Sequence, residues 1–303
     1  MEKTDSFTSI MTKKILLLLC LVFCFGCSKT RPASKENQKP LILTSIAPYQ
    51  FLVERIAGPE FEVKTIAPSN ANPHAFEPTS SQVAGMSRAL AWFRIGEPFE
   101  EKILPFFTEK LKVSDLRAGI SLLKSETSCK SCSLDHQDRH IWLSPKRASL
   151  QAAAIEKTLS EQFPNKKESF QKNLILLQGQ LALLDIEIET LLEPVKDRVL
   201  LVSHPAFGYF CEDYNFVQLS VEFEGKDPRP RHLEEILKKA LSQHAEIALA
   251  LPQYNNKGTE IIAEKLSVPI YMIDPYSSDY FKTMRTLAHL ASQPSKEEPK
   301  KPL

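Results

Sequence analysis

The feature that most constrains the fold is one long apolar stripe between about Lys166 and Glu193. Apolar residues recur there at steps of three and four, which places them on one face of a helix. They are Phe170, Leu174, Leu177, Leu181, Leu184, Ile188 and Leu191. A helix of about 28 residues is roughly 42 Å long, and we expect Pro194 to end it. The alternative is a coiled-coil dimer, because a similar stripe also forms such a seam.

Short apolar runs rich in β-forming residues alternate with segments of helical period on both sides of this helix. Predicted strands are residues 41–46, 62–66, 89–95, 199–203, 216–221, 247–251 and 269–273. Predicted helices between them include residues 49–56, 99–111, 232–244 and 258–266. This alternation is typical of parallel sheets with helices on both faces. The sequence therefore predicts an α/β fold of two (βα) lobes with mostly parallel sheets, residues 41–165 and 195–292, joined by one long rigid helix, residues 166–194.

Residues 1–27 predict a signal peptide. Two lysines precede an apolar run at residues 15–25, which is too short to span a membrane. The run is followed by Gly-Cys, which resembles the end of a lipoprotein signal, although Phe25 is bulky for that pattern. We expect Cys27 to be lipidated; a plain signal peptide or an uncleaved anchor is the alternative, and each would still export the chain. Met11 opens a tidier signal sequence than the first methionine, so it is an alternative start.

Charge and composition exclude one class of partner. The chain has 38 Lys and Arg against 37 Asp and Glu, a net charge of +1. Nucleic-acid binding needs a basic surface, so we do not expect it. Residues 28–40 and 293–303 are polar without apolar period, which predicts a flexible tether and a polar tail.

Three cysteines remain beyond the predicted signal segment and Cys27. Cys129 and Cys132 form a Cys-Lys-Ser-Cys sequence in a polar loop. An exported protein favours a disulfide between them, and a second zinc site or a redox pair is the alternative. Cys211 is predicted to be a small buried apolar residue.

Three of the seven histidines lie near predicted strand ends or loops. His204 directly follows the strand at residues 199–203, at the carboxyl edge where open α/β sheets bind ligands. His74 lies in a turn-rich loop, and His140 lies between a polar loop and a helix. Taken singly, each would more often be an ordinary loop or buried histidine than a ligand.

The segments around these histidines resemble a known family. They are residues 72–78 (NPHAFEP), 138–145 (DRHIWLSP) and 203–210 (SHPAFGYF). In order and spacing they are similar to signature segments of the metal-binding solute-binding proteins of ABC transporters, the zinc and manganese cluster. Residues 227–233 (DPRPRHL) and 269–275 (PIYMIDP) resemble two further segments. The resemblance covers residues 41–291 and implies two lobes, one long helix and one metal ion in the cleft, held by His74, His140 and His204.

The ligand types favour zinc, because neutral imidazole is a good ligand for Zn²⁺. Relatives tuned to manganese usually have a carboxylate in place of His204, in keeping with the oxygen ligands of Mn²⁺. Manganese or iron remains the alternative. The resemblance suggests Asp274 as a fourth ligand, with Asp279 or water as alternatives. Glu77 is expected to accept the second ring N–H of a liganding histidine.

The resemblance implies metal capture on the outer face of the cytoplasmic membrane, in the periplasm or outside the cell, and delivery to the permease of an ABC importer. We expect a lipid-anchored monomer that is not an enzyme.

A zinc hydrolase is the rival function, but the sequence has no HExxH spacing. A surface adhesin is a further alternative. Zinc-type relatives often carry a loop rich in histidine and acidic residues before the second histidine, which gathers metal. Residues 124–139 contain only one histidine, His136, so this role is not expected.

Overall fold

The computed structural model describes residues 38–124, 137–222 and 228–293. The first half contains strands β1 Leu41–Thr44, β2 Glu62–Thr65, β3 Ala91–Arg94 and β4 Lys112–Asp115, and helices α1 Ala47–Ala57, α2 Ser80–Met86, α3 Pro98–Ile103 and α4 Pro145–Gln162. Helix α5 Lys167–Leu192 follows. The second half contains strands β5 Val199–Val202, β6 Val217–Ser220, β7 Ile247–Ala250 and β8 Ile270–Met272, and helices α6 Gly208–Tyr214, α7 Pro230–Ser242, α8 Lys257–Leu266 and α9 Tyr280–Ala291.

The strands form two parallel sheets of four strands each. Their orders are β2-β1-β3-β4 and β6-β5-β7-β8, so the two sheets have the same topology. Every residue of β1, β5 and β7 is buried, whereas the outer strands are partly exposed. Strands buried on both faces explain the continuous apolar runs in the sequence. The predicted α/β fold class is confirmed.

Helix α5 is the long helix that the stripe predicts. Short 3-10 turns at Pro164–Lys166 and Glu193–Val195 flank it, and the second turn contains Pro194. Its fully buried residues are Phe170, Leu177, Leu181, Leu184, Ile188 and Leu192. They pack against α1, α4 and α9, so the stripe is covered by its own chain and does not require a coiled-coil partner. Leu192, rather than Leu191, completes the buried face.

One strand is missing from the sequence prediction. The helix predicted at residues 99–111 ends at Ile103, continues as a 3-10 turn at Leu104–Phe106, and is followed by β4. Pro105 lacks the N–H that an α-helix needs at that position. Strand β4 is an edge strand whose only apolar residue is Val113, so no apolar alternation marks it.

The last helix links the second half to the first. The rings of Tyr280 and Phe281 in α9 lie 5.9 and 5.3 Å from the ring of Phe51 in α1. One continuous core includes buried residues of both sheets and of α5.

None of the described helices is long and apolar enough to cross a membrane. Cys211 is buried as predicted, whereas the predictions for Cys27, Cys129, Cys132 and His136 lie outside the described residues.

Candidate metal centre

The carboxyl ends of strands from both sheets meet at one cleft of about 480 Å³. His74 lies in the loop after β2, and His204 follows β5 by two residues. His140 immediately precedes the 3-10 turn Ile141–Leu143, which leads into α4. The Ser144 side chain caps α4 by accepting a hydrogen bond from the N–H of Arg147, and this fixes the start of the helix next to His140.

His140 is held by a short local contact. Its backbone N–H and its ring Nδ1 both contact Asp138 Oδ1, at 2.9 and 2.7 Å. An ionised carboxylate only accepts hydrogen bonds, so Nδ1 carries the proton and donates it. The other nitrogen, Nε2, then presents a lone pair to the cleft.

His74 is oriented by Glu97, a fully buried residue after β3. The distance from His74 Nδ1 to Glu97 Oε2 is 2.8 Å. Gly96 precedes Glu97 with a φ of +85°, and a Cβ there would meet the guanidinium of Arg117. Glycine therefore permits the turn that brings the Glu97 carboxylate to the cleft.

Residues of the second half of the chain hold His204 at one ring nitrogen and on one ring face. Its Nδ1 lies 2.6 Å from Glu222 Oε2, just beyond the end of β6. Its ring stacks on Tyr254 with a centroid distance of 4.0 Å and an interplanar angle of 13°. This arrangement restricts the imidazole and directs Nε2 towards His140.

The three histidines bring one ring nitrogen each within 4.8 Å of one another. His140 Nε2 and His204 Nε2 are 3.3 Å apart. Both Nδ1 atoms donate to carboxylates, so in the neutral rings neither Nε2 carries a proton that it could donate to the other. A tetrahedral zinc ion with arms of 2.0 to 2.1 Å separates its ligands by about 3.3 Å. A shared cation therefore suits both the electrostatics and the spacing of the two atoms.

The environment moves the pKa values of two rings in opposite directions. Burial lowers the pKa of His204 well below 6.5, and the nearby His140 and His74 lower it further. Burial also acts to lower the pKa of His74, but the charge and hydrogen bond of Glu97 outweigh it and raise that pKa above 6.5. His204 thus stays neutral to lower pH than His74 does.

Three other predicted site residues lie elsewhere. Glu77 pairs with Lys102 at the surface, and His74 is bound by Glu97 instead. Asp274 accepts from Gln253 Nε2 and from the N–H of Tyr276, so it braces its own loop; Asp279 caps α9. Neither aspartate is in the described cluster of metal-binding side chains, which consists of His74, His140 and His204.

Sequence reasoning missed Glu97, Glu222, Tyr254 and Tyr276 as residues around the rings. Glu97 and Glu222 follow the ends of β3 and β6, and the tyrosines follow the ends of β7 and β8. The rule that drew attention to His204, ligand binding at the carboxyl edge of a sheet, applies to all four. Polar residues within three positions of the end of each predicted strand were therefore a signal that could have identified this group.

Comparison with known proteins agrees with this geometry. Residues 42–292 match the family described as zinc-uptake complex component A, periplasmic, or ZnuA. The chain belongs to the ZnuA family. The resemblance drawn from the sequence segments is thereby confirmed.

Members and neighbours of the ZnuA family cover most of the chain. A Chlamydia trachomatis serovar D protein, named for an inferred metal-binding role, is 32% identical over 278 residues, covering 90% of this chain and 97% of its own length. The high-affinity zinc uptake system protein ZnuA of Haemophilus ducreyi is 27% identical over 265 residues, covering 77% of this chain and 84% of its own. A crystal structure of ZnuA is 30% identical with a TM-score of 0.79, covering 86% of this chain and 100% of that chain.

The buried carboxylate beside His74 gives a first prediction for this ZnuA-family site. We expect Glu97→Gln to weaken zinc binding about 10- to 100-fold. The Glu97 carboxylate orients the His74 ring and raises its basicity, and a neutral amide does neither as well. Competition against a chromogenic chelator measures the change. Glu77→Gln is the matched control, since the Glu77 side chain is 73% exposed and pairs with Lys102. Equal zinc affinities for the two variants would contradict this role of Glu97.

Proposed function

We propose that the protein captures one zinc ion outside the cytoplasmic membrane through His74, His140 and His204 and delivers it to the permease of an ABC importer. The observation that carries the proposal is the convergence of three ring nitrogens within 4.8 Å. Membership of a family of zinc-uptake components supports the transport role. Lipid attachment at Cys27, a monomeric state, and lobes at residues 41–165 and 195–292 joined by residues 166–194 belong to the same proposal.

The donor set supports zinc over manganese. Three neutral imidazoles suit Zn²⁺, whereas Mn²⁺ favours carboxylate and carbonyl oxygen. The carboxylates that touch the rings are Glu97, Asp138 and Glu222, and each accepts a ring N–H. They orient ligands and do not stand ready to activate a bound water, which favours capture over hydrolysis.

Calorimetric titration of the full chain in detergent tests the proposal. We expect uptake of one Zn²⁺ per chain and much weaker binding of Mn²⁺. Tighter binding of Mn²⁺ or Fe²⁺ would overturn the assignment of zinc. If none of these ions binds, the proposal of metal capture itself is overturned.

The opposite pKa shifts predict how zinc binding depends on pH. Zinc needs the neutral ring, and the pKa of His74 is raised, so the loss of affinity begins above pH 6.5 as His74 takes up a proton. Affinity should then fall by up to about tenfold per pH unit. The lowered pKa of His204 keeps that ring neutral over the same range. Chelator competition between about pH 8 and about pH 5.5 measures the profile; constant affinity would contradict ligation by His74.

A further inference from the structure

Tyr276 places a hydroxyl at the metal centre from the loop after β8. The side chain is 1% exposed, and its oxygen lies 3.0 Å from His140 Nε2. Asp274 fixes the loop by accepting the N–H of Tyr276 at 2.9 Å. Trp142 Nε1 donates to the carbonyl of Pro275 at 2.9 Å, which ties the loop to the segment that carries His140. The hydroxyl is therefore held in place by both halves of the chain.

The direction of the hydrogen bond follows from Asp138. Because His140 Nδ1 donates to that carboxylate, Nε2 is the acceptor and the hydroxyl of Tyr276 is the donor. A hydroxyl has one proton, so at the 3.2 Å contact between Tyr276 and Tyr254 the donor is Tyr254. A directed chain thus runs from Tyr254 through Tyr276 to His140.

The lone pair at the end of this chain is the one that zinc requires. An imidazole nitrogen has a single lone pair, which either accepts a proton donor or binds a metal ion. We propose that Tyr276 is a positioning residue that occupies the His140 lone pair in the metal-free protein, so that zinc must displace it on entry and it helps to expel zinc on release. This inference rests on the proposed function and adds a device that limits the retention of the ion.

The geometry favours this role over that of a fourth ligand. A tetrahedral ligand would lie about 3.3 Å from all three liganding nitrogens. Among the described residues, the hydrogen bonds of the Tyr276 hydroxyl go to His140 and Tyr254. Tyr254 in turn stacks on His204, so the tyrosine pair contacts two of the three rings through different interactions.

The test compares Tyr276→Phe with the wild-type full chain in detergent. Loss of a competing hydrogen bond is expected to tighten zinc binding about three- to tenfold and to slow its release to excess chelator by a similar factor. Tyr254→Phe keeps the ring that stacks on His204 but removes the hydroxyl that donates to Tyr276, so we expect a smaller change in the same direction. Tyr271→Phe is the control. Tyr271 lies within β8, so we expect this substitution to leave zinc affinity unchanged.

The sign of the change decides the inference. A structural defect or the loss of a metal ligand weakens binding, so unchanged or weaker affinity in Tyr276→Phe would overturn the role proposed for this hydroxyl. Circular dichroism of the metal-free variants checks folding, and Tyr254→Phe carries the test if Tyr276→Phe does not fold. Failure of the wild-type protein to bind zinc would instead overturn the proposed function, which separates the two failures.

Discussion

Replacing His204 with alanine is expected to weaken zinc binding by well over about 100-fold. Loss of a residue that only orients a metal ligand typically costs 10- to 100-fold, and loss of the ligand itself should cost more. His204 Nε2 lies 3.3 Å from His140 Nε2, so its removal takes away one whole edge of the proposed tetrahedron. The measurement is competition between the purified variant and a chromogenic chelator of known affinity.

A second histidine provides the control for this substitution. His289→Ala removes an exposed imidazole from α9 and places alanine, a strong helix former, in the last turn. We expect its zinc affinity to match the wild type. If His204→Ala retains wild-type affinity while folded, the three-histidine site is wrong and the ion binds elsewhere.

Replacing Leu181 with alanine in α5 is expected to lower the free energy of unfolding by about 2 to 5 kcal/mol. Leu181 is 1% exposed and lies in the middle of the stripe that packs against neighbouring helices. The substitution leaves a cavity that the surrounding side chains fill only in part. Urea unfolding of the metal-free protein, followed by circular dichroism, measures the loss.

Leu183 supplies the matched comparison on the same helix. Its side chain is 69% exposed, so Leu183→Ala removes little buried surface and should change the free energy of unfolding by less than about 0.5 kcal/mol. Similar losses for both variants would mean that α5 is covered on both faces in solution, which would contradict a helix with one buried face.

The main elements of the fold could be predicted because their signals are local. The stripe from Phe170 to Leu192 reports a buried face through its spacing alone. Strands such as β1 and β5 are buried on both faces and therefore appear as continuous apolar runs. Strand β4 carries no such signal, because pairing with β3 at the edge of a sheet stabilises it more than its own side chains do.

The α/β fold class, the long helix and the three candidate histidines could be predicted from the sequence, since each depends on short-range periodicity, strand ends or family segments. The residues that surround those histidines are known only from the folded chain. Glu97 rather than Glu77 meets His74, Glu222 meets His204, and Tyr276 meets a ring 136 positions away in the chain. The physical reason is that hydrogen-bond partners are chosen by distance and direction in space, and two parallel sheets bring together strand ends whose separation in sequence carries no pattern.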